Sequence, residues 1–226
     1  MINERTTITA PSGKMDVYVA RPDPGKPRPA VIVLEGVYGF DDEIRRMTDL
    51  VGAAGYVGLA IDYLRGKPAG EGFSSKSIAD DIGAARDWLN ERDYTVHGEV
   101  ATWGFGIGGS AAFMGAMLPG FRAAIAFYGQ SIAKELPDGA DAPIKHAEQV
   151  KTPLLLVFGG HDEMVTKDDI QRIQNRLDAA GKKYEMEIYP NVGHSFFRQD
   201  RDTIATREIA DAWDRVQAFL KKSFGG

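Results

Sequence analysis

Short apolar runs alternate with stretches of helical periodicity along most of this chain, and no other feature limits its fold as tightly. Residues 30–34 read Ala-Val-Ile-Val-Leu, and 57–61, 123–128 and 154–158 are similarly apolar. A strand that is apolar at successive positions has both faces buried, as in a parallel sheet covered by helices. Residues 100–103 and 184–189 read as further strands. Residues 41–54, 74–91, 108–118, 167–180 and 203–220 read as helices. In the second of these, Ile78, Ile82, Ala85 and Leu89 share one face; the fourth ends at Gly181 in a C′ role. Residues 6–10 and 15–20 alternate as a hairpin around 11–14. Residues 22–29 form a proline-rich turn, and the Gly- and Pro-containing stretch 65–73 reads as a long loop at a strand end. The expectation is one α/β domain over residues 1–226, with a mostly parallel central sheet and helices on both faces. Ligands bind such sheets at the carboxyl ends of the strands.

The composition narrows the partners. The 226 residues carry a net charge of −5, which disfavours nucleic acid and anionic membranes. There is no cysteine, so a disulfide scaffold, a thiolate metal site and a thiol nucleophile are all excluded. Four histidines without a close i, i+4 pair give no metal site, and no cofactor is expected. The N-terminal stretch lacks an apolar signal core, and no run of about 18 apolar residues occurs. A cytoplasmic protein is expected, as a monomer or small homo-oligomer.

The most informative segment is Thr102-Trp103-Gly104-Phe105-Gly106-Ile107-Gly108-Gly109. A strand enters a helix through small residues, which is the form of the α/β-hydrolase nucleophile elbow, small-x-nucleophile-x-small. The same letters fit a nucleotide-binding fingerprint, but that motif belongs on the first strand of a dinucleotide domain. They also fit a purely structural turn. On the elbow reading the nucleophile position falls on Gly106, which has no side chain to attack with. The Ile107 N–H would be one oxyanion donor.

Two later segments bear on the choice. Phe158-Gly159-Gly160-His161-Asp162 puts Asp162 at a strand's carboxyl end, and Asn191-Val192-Gly193-His194 puts His194 in the loop after the last strand. Alone, Asp162 reads equally well as a helix N-cap and His194 as a solvated loop residue. Elbow, acid, histidine is nevertheless the α/β-hydrolase chain order. In that chemistry His194 is the general base and Asp162 holds its tautomer. Ser110, Ser131 and Ser195 are the only alternative nucleophiles near these segments. Ser110 reads better as helix packing.

These residues resemble the dienelactone hydrolase family over nearly the whole chain. That family's elbow is G-x-C-x-G-G, and its cysteine falls on Gly106. Its aspartate and histidine fall on Asp162 and His194. Residues 39–45 resemble its G-x-x-x-x-I-R segment, Asp62-Tyr63 its D-L-Y, Tyr128-Gly129 its Y-G, and His194-Ser195-Phe196-Phe197-Arg198 its H-S-F-x-R, whose arginine binds a substrate carboxylate. Arg198 reads otherwise as a solvated loop arginine. The family's glutamate after the third strand aligns without a gap on Gly36, leaving Glu35 one residue early. Either Glu35 serves that role or the glutamate is lost. Gly36 or Val37 is then the second oxyanion donor. Tyr38, Phe105, Tyr128 and Phe197 are candidate pocket aromatics, and Arg65 is a poorer candidate for substrate binding.

The resemblance implies a hydrolase of small carboxylic esters or lactones, anionic ones if Arg198 faces them. With glycine at position 106 three readings stand: an engineered nucleophile-less form, a natural small-ligand-binding protein without catalysis, or a site where water or a substrate group replaces the nucleophile.

Overall fold

The computed structural model describes residues 1–199 and 205–225. In chain order the elements are β1 (Ile2–Ala10), β2 (Gly13–Arg21), β3 (Arg28–Leu34), α1 (Asp42–Ala53), β4 (Val57–Ile61), α2 (Ala69–Gly72), α3 (Ser75–Asn90), β5 (Thr95–Phe105), α4 (Ile107–Gly115), β6 (Ala123–Phe127), a 3-10 turn (Pro143–Gln149), β7 (Leu154–Gly159), α5 (Lys167–Ala179), β8 (Tyr184–Tyr189) and α6 (Thr206–Ser223). The strands form one sheet in the order β1-β2-β4-β3-β5-β6-β7-β8. β2 pairs antiparallel with both neighbours and every other pairing is parallel, so β2 alone runs against the rest.

The alternation of strand side chains explains the layering. Val31 and Val33 face a core shared with Ile44, Met47 and Val51 of α1 and Val216 and Leu220 of α6. Ala30, Ile32 and Leu34 face the opposite core, with α3 and the start of α4. A third cluster packs α5 and the end of α4 against β6 and β7. Both faces of the central strands are thus dry, as their unbroken apolar runs require. Trp103 is fully buried and stacks on Trp213 at 5.5 Å, with Phe105, Phe127 and Phe197 within 4.8–5.6 Å. Each such pair adds about 0.5–1.5 kcal/mol beyond its buried area. The cluster therefore clamps the chain just after His194 onto the central strands.

Several boundaries differ from the sequence expectation. β5 begins at Thr95, ahead of its apolar part, because Thr95 pairs with Arg28 across an irregularity in the β3 register. β1 starts at Ile2, since an edge strand needs pairing more than burial. α4 stops at Gly115, short of the expected Leu118. The loop after β4 holds one helical turn, α2, and the 3-10 turn has no counterpart in the sequence reading. The expected helix start at Thr203 lies outside the described residues. Among the described residues no helix is long and apolar enough to cross a membrane.

Candidate active site

β5 reverses into α4 at Gly106, with φ 58° and ψ −119°, a conformation that strains any residue bearing a Cβ. The turn is held by its own backbone. The Gly106 N–H donates to the Phe127 carbonyl at 3.0 Å, and the Gly106 carbonyl accepts from Ser110 at 3.2 Å and Gln130 at 3.4 Å. The flanking glycines are needed for closeness. A Cβ on Gly108 would lie 2.1 Å from the Glu35 carbonyl, and one on Gly104 would lie 1.9 Å from the Gly108 carbonyl. At Gly106 the space is open. Among the described residues, apart from chain neighbours, a Cβ there has only His194 Nε2 at 3.7 Å and Gln130 Oε1 at 3.8 Å within 4 Å.

His194 reaches this point from the loop after β8. Its Nδ1 is 2.7 Å from Asp162 Oδ2. Asp162 follows β7, and its other oxygen accepts the N–H groups of Met164 and Val165 at 2.8 and 2.9 Å. With Nδ1 donating to this fixed carboxylate, Nε2 is left as an acceptor facing Gly106. The Tyr128 ring stands edge-on to the imidazole, 5.1 Å between centroids. Ser195 (φ 62°) and Tyr128 (φ 39°) both occupy the left-handed region beside the imidazole. Such strain persists only where the surroundings enforce it.

A cavity of about 60 Å³ opens here, walled by the 36–39 loop, Phe105, Tyr128, Gln130, Met164 and Arg198. It lies at the carboxyl ends of the strands. A larger cavity of about 280 Å³ lies at their amino ends, around Arg21, Lys26 and Tyr94, away from His194. Ile107 opens α4, so its N–H has no acceptor within the helix. Gly36 and Val37 both line the cavity. Tyr38 is half-exposed, and the Arg198 guanidinium lies over its ring at 4.6 Å while donating to Asp41 at 2.7 Å. Phe105 and Tyr128 are buried and form wall surface. The Tyr128 hydroxyl has no hydrogen-bond partner among the described residues, and burial pushes it far above its usual pKa.

Three candidate site residues lie off the cavity wall. Arg65 is not at the cavity: it makes a two-pronged ion pair with fully buried Asp81, at 2.8 and 2.9 Å, and also donates to Ser12. Glu35 is not on the wall either. It is completely buried behind the 36–39 loop, where its carboxyl accepts the Leu64 N–H at 3.4 Å. Burial first, and then the charge of Asp62, push Glu35 up to about 9, so it is a neutral acid at physiological pH. Phe197 lies in the aromatic core. The Ser110 hydroxyl is buried, accepting the Ser131 N–H at 2.9 Å. The sequence reading missed Gln130 and Met164. Neither has a motif of its own, though Gln130 directly follows the Tyr128-Gly129 pair.

Residues 15–224 match the dienelactone hydrolase family. Over 96% of its length the chain is 28% identical to a Synechocystis protein named as a putative carboxymethylenebutenolidase, covering 96% of that protein. It is 25% identical, over 90% of its length and 88% of the other's, to a Bradyrhizobium protein named as a probable 2-oxo-3-(5-oxofuran-2-ylidene)propanoate lactonase. Among solved structures, a putative dienelactone hydrolase from Klebsiella pneumoniae superposes with a TM-score of 0.89 at 23% identity, covering 97% of this chain and 98% of that one. The fold is that of the α/β-hydrolases.

Proposed function

Because the chain belongs to the dienelactone hydrolase family, a family of hydrolases, we propose that its cavity takes small carboxylic esters and lactones, with Asp162 and His194 as acid and base and Gly106 at the nucleophile position. One observation carries this reading. A side chain at Gly106 would begin 3.7 Å from an imidazole nitrogen whose other nitrogen is 2.7 Å from a buried carboxylate. That is the geometry in which a hydroxyl or thiol loses its proton to histidine. The Ile107 N–H and an N–H of the 36–37 segment are the oxyanion donors. Arg198, in the cavity wall, is the group for a substrate carboxylate. The names of the relatives, a butenolidase and a furan-type lactonase, support lactones as the ester class.

The nucleophile itself is missing. Removing it from such a triad costs on the order of 10⁶ in turnover, about 8 kcal/mol of barrier. The chain as it stands is therefore a very poor esterase. Gly106→Cys is expected to recover much of that loss, because the thiolate would have His194 and the oxyanion donors in place. The left-handed backbone costs the variant ~1–3 kcal/mol of stability but does not prevent folding. The test is hydrolysis of an activated aryl ester and a small unsaturated lactone by both proteins, with and without a thiol alkylating agent. Rapid turnover by the original chain would place the nucleophile elsewhere. A folded but inert Gly106→Cys would favour the second reading, a small-ligand-binding protein, which the missing side chain itself supports.

A further inference from the structure

Gln130 enters the site on the loop after β6, and its placement is specified by the backbone. Its N–H donates to the carbonyl of Gly106, and the next N–H, of Ser131, donates to the buried Ser110 hydroxyl. Tyr128, two residues earlier, takes its left-handed φ to make the bend, with its N–H bonded to the Val157 carbonyl at 2.7 Å. The result is an amide oxygen 3.8 Å from the first atom of a notional side chain at Gly106, matched by His194 Nε2 at 3.7 Å.

We propose that this chain hydrolyses small carboxylic esters and lactones without a covalent intermediate, through a water held between His194 and Gln130 in the space beside Gly106. The proposal rests on the function proposed above. A buried water needs roughly one probe sphere of space and at least two polar partners. The open side of Gly106 offers the space and the two side chains are the partners. His194 Nε2 accepts one hydrogen of the water and the Gln130 oxygen accepts the other, which leaves an oxygen lone pair for the substrate carbonyl carbon. The new carbon–oxygen bond forms as that water's proton passes to Nε2, and the carbonyl electron pair moves onto the oxyanion at the Ile107 and 36–37 N–H groups. Asp162 stabilises the imidazolium. The tetrahedral intermediate then expels the alkoxide, which takes the proton back from His194. An acid and an alcohol result, joined in one molecule when the substrate is a lactone. Gln130 is a positioning residue for the water. General-base assistance contributes about 10²–10⁴, so turnover is slow but depends on His194.

The experiment follows release of the phenol from an activated aryl ester, from the first turnover onward, by the full chain. A linear trace without a burst and an unmodified protein mass are expected. Gln130→Leu should lower kcat about tenfold, the worth of one hydrogen bond, with KM unchanged. Gln130→Glu keeps an acceptor and should retain most of kcat. Its charge beside the imidazole should also move the acid limb of the pH profile upward, a change that a merely structural role would not produce. Gly106→Ala projects a methyl into the space the water needs and should abolish turnover. If it fails to fold, the Gln130 pair still decides. A burst, an acylated serine, or a Gln130→Leu variant as active as its parent overturns the proposal. So does a chain lacking His194-dependent turnover while Gly106→Cys is active, which leaves the proposed function standing. If both are inert, the reading of the site itself fails.

Discussion

Glu35 carries a carboxyl group into a space without solvent, and the consequence is a proton held through the neutral range. The unfolded chain releases that proton near 4.5, whereas the fold keeps it up to about 9. Between those limits the native state binds more protons than the unfolded state, so this group's contribution is fully present below about 4.5 and is lost as pH rises through about 9. Glu35→Gln ends the titration while keeping an acceptor for Leu64 and a donor toward Asp62. The variant should be more stable than its parent at pH 7 by up to ~3 kcal/mol, with the difference vanishing near pH 4.5. Urea denaturation at the two pH values measures it. An equal gain at both would assign the effect to packing instead of ionisation.

At the level of elements, Arg65 joins three: the loop after β4, the β1–β2 turn at Ser12 and Gly13, and α3 through Asp81. Asp81 is fully buried, and stranding a buried charge by removing its partner costs about 3–5 kcal/mol. Arg65→Ala should therefore lower the denaturation midpoint strongly while leaving KM for a small ester unchanged; a raised KM in a stable variant would return Arg65 to the substrate. This residue also marks where sequence reading stops. Asp81 sits three residues after Ile78 and four before Ala85, on the stripe that identified the helix, a position that buries an acid and calls for a cation, but no such pairing was read from the sequence. Gly106, Asp162 and His194 were legible because each follows a strand and strand ends meet above a parallel sheet. Gln130 was not, because a glutamine after Tyr-Gly has no chemistry until the fold brings it beside His194. For Glu35, one residue early in the alignment, the sequence left open whether it serves the family glutamate's role, and whether it faces the cavity depends on how the 36–39 loop closes over it, which no residue type announces.

Across the whole molecule the site is assembled from the segments that follow β3, β5, β6, β7 and β8, and Arg198 ties its last part to its first by the ion pair with Asp41, 157 residues away. On the proposed function, a substrate carboxylate at Arg198 would share the guanidinium with Asp41. Arg198→Ala should weaken binding of an anionic ester analogue about tenfold or more, the scale of a charge-assisted hydrogen bond, and spare a neutral one. Calorimetric titration of both analogues distinguishes this from a general loosening, which would weaken both alike.

The position of β8 at the edge of the sheet has a further consequence, for the chain as it is made. During synthesis β7 emerges before β8, so its dry residues Leu154–Gly159 present an open edge until Tyr184–Tyr189 pairs alongside. An unpaired apolar edge is a template for wrong partners. The nascent chain is thus open to wrong pairing in the interval between these two strands, and the docking that ends this hazard is also the one that delivers His194.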